Sequence, residues 1–135
     1  IEVCSAIKNI YAMIIGAGQS LNSSSNLFQK SILEMKYLIK YFKGNDDTIS
    51  GLAGVGDLYV SAAGGRNSKM GSYLGKGFTF QTAKKRFMPK DTVEGEQLAR
   101  EIAPFILKKI NRSKIPLMIN LIKTILGNKK LKIKV

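Results

Sequence analysis

Histidine and tryptophan are absent from these 135 residues, cysteine occurs once and proline three times. Each shortage closes a class of chemistry. With no imidazole and one thiol, a zinc site has almost no ligands to draw on, so no metal is expected. The lone Cys4 rules out an internal disulfide and fits a reducing, cytoplasmic setting. It stands in an apolar helical pattern, where a small core residue is the expectation rather than a nucleophile. The longest apolar stretch near the start, Ile10 to Ile15, is far too short to cross a membrane, so no transmembrane segment is expected. No basic segment followed by a continuous apolar one marks a signal peptide. Acidic residues are scarce too, 9 against 22 lysines and arginines, for a net charge of +13. Such an excess points to anionic partners: nucleic acid, a membrane surface or phosphorylated small molecules. The lysines, among them Lys84, Lys85, Lys108, Lys109, Lys129, Lys130, Lys132 and Lys134, are scattered. No helix-turn-helix pattern carries one continuous basic face, so no specific nucleic-acid partner is expected.

What is present is helical periodicity. Ile1, Val3, Cys4, Ile7, Ile10, Tyr11, Ile14 and Ile15 recur at helical spacing, with Gly16 and Gly18 as the stop and Gln19 to Asn26 as a loop. Ile32, Leu33, Met35, Leu38, Ile39 and Phe42 predict a second helix ending near Gly44. Asp46 or Asp47 suits the N-cap of a short turn around 48–52. Further helices should start near Ser68, Thr79 and Val93, with a kink or break at Pro104. Pro116 fits the first position of a last helix ending at Gly127. No internal repeat and no alternation of strand and helix is visible, so the expectation is an all-α domain over residues 1–127. A basic tail, 128–135, alternates lysine with apolar residues, as a short strand or a frayed end. The chain starts at Ile1, already inside an amphipathic pattern, as a fragment would.

Three places could carry chemistry. Lys8 lies among Ile7, Ile10 and Tyr11. It either snorkels from the helix edge or, partly buried, has a lowered pKa and exchanges a proton with a substrate oxygen beside Asn9. Asp57 follows Gly54-Val55-Gly56, as a helix N-cap or as a carboxylate that tunes an amine and holds a hydroxyl. Gly64-Gly65-Arg66-Asn67-Ser68 is an ordinary turn or a phosphate site, with a guanidinium, an amide and the N–H groups of a helix start.

Taken in order, these segments resemble the C-terminal half of NAD(P)-dependent glycerol-3-phosphate dehydrogenases. Val3-Cys4-Ser5-Ala6-Ile7-Lys8-Asn9 is similar to the segment with the catalytic lysine, and Gly51-Leu52-Ala53-Gly54-Val55-Gly56-Asp57-Leu58 to the stretch before the substrate-binding aspartate. Gly65-Arg66-Asn67 resembles the phosphate-binding pair, Thr92-Val93-Glu94-Gly95 the motif whose glutamate approaches the nucleotide, and Ile115-Pro116-Leu117 the late proline-started helix. Any one is weak; the ordered set covers most of residues 1–127. The chain departs from the family in a shortened region from Ser20 to Lys30, in Ser61 where threonine is common, and in Ser5 in place of a glycine.

The resemblance implies an all-α substrate domain like that of 6-phosphogluconate dehydrogenase-type enzymes. It would interconvert dihydroxyacetone phosphate and sn-glycerol 3-phosphate, feeding glycerophospholipid synthesis. Lys8 and Asp57 would be catalytic; Lys8, Asn9, Asp57, Ser61, Gly65, Arg66 and Asn67 would bind substrate; Arg66, Thr92 and Glu94 would touch NAD or NADP. The pyrophosphate of that cofactor needs a glycine-rich strand-to-helix turn, which does not occur here, since Gly16-Ala17-Gly18 follows a helix. The cofactor would therefore be held mainly by an N-terminal Rossmann domain absent from this chain, leaving the fragment alone inactive. By family analogy the enzyme would be a homodimer. The competing expectations are a related dehydrogenase for another phosphorylated or carboxylated hydroxy compound and, less well supported, a basic nucleic-acid-binding helical domain.

Overall fold

A helix that is apolar on every side has to be surrounded by other elements. Helix α1 (Val3–Ser20) is such a helix: Ile7, Ile10, Tyr11, Ala12, Met13 and Ile14 are all completely buried. The computed structural model describes residues 3–21, 24–43 and 65–132, and every regular element among them is helical. The others are α2 (Ser24–Lys43), α3 (Arg66–Gly75), α4 (Phe80–Phe87), α5 (Glu94–Lys109) and α6 (Pro116–Leu126), with a 3₁₀ turn at Arg112–Lys114. Helices α2, α3, α5 and α6 all pack on α1, and α3 makes the most extensive contact. No helix among the described residues is long and apolar enough to cross a membrane.

The expected stop at Gly16 and Gly18 is not one, for α1 continues through both to Ser20. Gly16 serves instead to let α3 approach. A β-carbon on Gly16 would overlap the Ser68 carbonyl, and one on Gly71 would overlap the Met13 carbonyl. One on Gly75 would stand 2.6 Å from the Ala17 carbonyl oxygen. A glycine inside a helix costs about 1 kcal/mol relative to alanine, and the backbone-to-backbone crossing of α1 and α3 offsets it. The polar run expected as a loop is mostly helical as well, because α2 already begins at Ser24.

Other boundaries follow the sequence. The Thr79 hydroxyl accepts the Thr82 N–H at 3.3 Å and caps α4, Val93 precedes α5, and α6 starts at Pro116 and is capped by Gly127. Helix α3 starts two residues before the expected Ser68. Pro104 does not break α5 into two elements; it lies on the exposed face, where water can take the carbonyl it leaves unpaired. Residues 128–132 form no strand. Asn128 adopts φ 49° and its Oδ1 accepts the Gln81 N–H at 3.1 Å, tying the tail to the start of α4. The expected turn at 46–52, the Cys4 side chain and residues 133–135 lie outside the described residues.

One acidic side chain holds α6 in place. Glu34 of α2 is buried, and its Oε1 accepts the Tyr11 hydroxyl at 2.7 Å and the Met118 N–H at 3.1 Å. Its Oε2 accepts the Leu117 N–H at 2.9 Å. These are two of the free amides at the start of α6, so Glu34 caps that helix from a neighbouring one. Burial pushes the Glu34 carboxyl above its ordinary range, although the Leu117, Tyr11 and Met118 donors pull the other way. Burial, reinforced by the Glu34 charge, raises the Tyr11 phenol well above its ordinary value.

Two predictions follow from this packing. Gly71→Ala should destabilise the fold by about 1–3 kcal/mol in urea unfolding, because overpacking at the crossing outweighs the better helix propensity of alanine. An unchanged midpoint would show that the helices can separate freely. For Glu34, the raised carboxyl means that the folded chain keeps a proton which the unfolded chain has released. Its contribution to stability is therefore greatest below the ordinary carboxylate value and is lost as pH rises through the raised one. Glu34→Gln removes that dependence, so the deficit of the variant relative to wild type should shrink as pH rises above the ordinary carboxylate range. A deficit that grows with pH would reverse the sign.

Candidate functional site

Helices α3 and α5 begin beside each other, and the reason lies in two residues. The α3 N-cap, Gly65, has no side chain, and Val93 before α5 makes no side-chain cap. Asn67 supplies what Val93 cannot: its Oδ1 accepts the Gly95 N–H at 2.7 Å, so a side chain of α3 caps α5. A backbone N–H can only donate, so the amide atom facing it is the oxygen. The NH₂ of Asn67 is then turned elsewhere as a donor.

Beside this joint lies an open pocket of about 240 Å³, lined by Arg66, Asn67, Thr92 and Glu94. The four expected phosphate- and cofactor-binding side chains therefore meet in one place, although Thr92 and Glu94 stand far along the chain from Arg66 and Asn67. The pocket opens at the first residues of two helices. Each helix start carries about half a positive charge, to which the exposed Arg66 guanidinium adds a full charge. The chemistry favoured there is binding of a phosphate or another multivalent anion.

Helix α1 meets the joint between Asn67 and Gly95. The Asn9 carbonyl oxygen lies 3.1 Å from where a β-carbon on Gly95 would stand, and Met13 Cε lies 3.0 Å from it. Asn9 of α1, Asn67 of α3 and Gly95 of α5 thus meet at one point. Lys8, the neighbour of Asn9, is half-buried on the same helix and does not line the pocket. Gly65 is exposed at the mouth of α3. Asp57 and Ser61 lie outside the described residues. Among the described residues no three acidic, cysteine or histidine side chains gather as metal ligands would. The cap that Asn67 gives α5 has one signal in the sequence, a helix start with no capping residue of its own.

Comparison with known proteins places this geometry. Residues 1–135 match the family described as NAD-dependent glycerol-3-phosphate dehydrogenase C-terminus. The chain is 40% identical over 86 residues to a glycerol-3-phosphate dehydrogenase [NAD(P)+] of Onion yellows phytoplasma (strain OY-M), covering 59% of this chain and 26% of that one. It is 34% identical over 121 residues to the NADP(+)-dependent glycerol-3-phosphate dehydrogenase of Archaeoglobus fulgidus, covering 82% and 36%. The crystal structure of a Coxiella burnetii glycerol-3-phosphate dehydrogenase superimposes with a TM-score of 0.79 at 26% identity, over 96% of this chain and 40% of that chain. The chain thus spans between a quarter and two fifths of these relatives' lengths.

Since Asn67 caps α5, Asn67→Ala should cost about 0.5–2 kcal/mol of stability. Asn67→Asp keeps the acceptor and should recover most of it, as judged by paired urea denaturation curves. Equal losses in both variants would show that the Gly95 N–H has no need of this cap.

Proposed function

The chain belongs to the NAD-dependent glycerol-3-phosphate dehydrogenase C-terminal family, and from that premise we propose that it is the substrate-binding half of an enzyme interconverting dihydroxyacetone phosphate and sn-glycerol 3-phosphate. The observation that carries this reading is the pocket joining Arg66 and Asn67 to Thr92 and Glu94 at two helix starts. A phosphorylated three-carbon substrate needs a cationic, donor-rich end for its phosphate, and this is the arrangement that supplies one.

Arg66 and the Asn67 amide hold the phosphate, at the positive end of α3. Binding energy spent on that remote group fixes the reacting carbon beside α1. Lys8 as an ammonium donates a proton to the carbonyl oxygen in the reductive direction and accepts the hydroxyl proton in reverse. Asn9 orients that oxygen. Asp57 holds a substrate hydroxyl and tunes the charge of Lys8, and Ser61 is a further substrate-binding residue. When bound, the nicotinamide supplies or receives the hydride. Thr92, Glu94 and Arg66 fit its contact with this half, because the Thr92 hydroxyl and Arg66 guanidinium can donate to a nucleotide phosphate and the Glu94 carboxylate can accept from a ribose hydroxyl. The larger share of the cofactor belongs to a nucleotide-binding N-terminal domain of the same polypeptide. We place the enzyme in the cytoplasm, as a homodimer, serving glycerophospholipid synthesis.

The test is oxidation of NADH and NADPH by the parent polypeptide, with and without dihydroxyacetone phosphate, in wild type and Lys8→Met. Oxidation that depends on the substrate and falls about a hundredfold or more in the variant is expected. No oxidation with either cofactor would overturn the assigned substrate and favour a related hydroxy compound. Full activity in Lys8→Met would move the proton transfer to another group.

A further inference from the structure

Gly95 is the residue at which the three helices of the site touch, and nothing about its backbone conformation requires glycine. Among the described residues the only glycine at positive φ is Gly77, at 102°. What Gly95 needs is space. A β-carbon there would stand 2.8 Å from Asn67 Oδ1, well inside contact distance, and 3.1 Å from the Asn9 carbonyl oxygen. Met13 Cε, at 3.0 Å, is the flexible end of a side chain and can give way; the Asn9 carbonyl belongs to the α1 backbone and cannot. The strain of any side chain at position 95 therefore falls on Asn67.

Resting on the dehydrogenase reading, we propose that Gly95 is a positioning residue for the phosphate end of the substrate: its N–H takes up Asn67 Oδ1 and so aims the amide NH₂ at the bound phosphate. An amide has two faces of opposite character, and its preference between them at a phosphate is decisive. With the oxygen forward it would present negative density to an anion; with the NH₂ forward it donates. The 2.7 Å bond from Gly95 settles the choice before substrate arrives. Gly95 also directly follows Glu94, which shares the pocket with Asn67. The nucleotide side and the phosphate side of the pocket are therefore joined through this one N–H.

The experiment compares dihydroxyacetone phosphate with unphosphorylated dihydroxyacetone in the parent enzyme, for wild type, Gly95→Ala and Asn67→Asp, with thermal unfolding measured alongside. In Gly95→Ala, kcat/KM on the phosphorylated substrate should fall about ten- to a hundredfold, mainly through KM, the scale of a lost hydrogen bond to a charged group. On dihydroxyacetone it should fall no more than about threefold, since a positioning role at the phosphate leaves the reacting carbon untouched. A merely structural glycine would lower both alike, and that result, or no fall at all, would overturn the proposal. Should Gly95→Ala not fold, Asn67→Asp decides: it keeps the acceptor for the Gly95 N–H but has no NH₂, so its preference for the phosphorylated substrate must collapse. A retained preference would overturn the proposal. A wild-type enzyme inactive on dihydroxyacetone phosphate sinks the dehydrogenase reading, and the proposal with it. An active wild type in which the two substrates suffer equally sinks the positioning role alone.

Discussion

The close crossing of α1 and α3 is the constraint on which the rest of the site depends. Helix α1 carries Lys8 and Asn9; α3 opens with Arg66 and Asn67. Their separation is set where Gly16 faces the Ser68 backbone and Gly71 faces the Met13 carbonyl. With backbones in contact, the start of α3 is held beside the middle of α1, and the amide of Asn67 comes within reach of α5. Were the two helices at the 8–10 Å spacing usual for side-chain packing, Asn67 and the Asn9 carbonyl could not both bear on Gly95. The small residues of this crossing are thus part of the site although none touches its pocket.

The second organising feature is that helix ends are capped from other helices. Asn67 of α3 caps α5, Glu34 of α2 caps α6, and Asn128 beyond α6 caps α4. A cap within its own helix stabilises that helix alone. A cap from elsewhere also fixes how two elements sit, because the bond is lost when either one shifts. Glu34 shows the cost of the arrangement, for its carboxyl group is held in the core by three donors and burial disfavours its charged form.

Much of this was legible in the sequence, and the parts that were not share a cause. The all-α class followed from periodicity, and Thr79, Val93, Pro116 and Gly127 marked helix ends through local chemistry. Arg66, Asn67, Thr92 and Glu94 were expected as binding residues, and the structure brings those four together in one pocket. The end of α1 was misplaced because a glycine such as Gly16 carries the same local signal whether a helix stops or another helix comes close; only its partner at Ser68 distinguishes the two. Likewise, Pro104 reads as a breaker until its exposed position in α5 is known. Glu34, between Leu33 and Met35, could have been noticed as a charge on an apolar face, but its partners lie on other helices, Tyr11 in α1 and the amides of Leu117 and Met118 in α6. Local rules see local partners.

Gly71 and Gly95 make the same point from the side of function. Both are glycine because a neighbouring atom occupies the space of a β-carbon. At Gly71 that atom is backbone of α1, so a larger residue there strains the fold and moves everything attached to it. At Gly95 the nearest atom belongs to Asn67, a side chain with its own freedom to turn. The chain could fold around a methyl group at position 95 by rotating the Asn67 amide and bearing a tight contact at the Asn9 carbonyl, and would then lose what that amide does in its present orientation. A glycine whose replacement can be accommodated by a binding side chain, rather than by the backbone, is a requirement of the site more than of the fold.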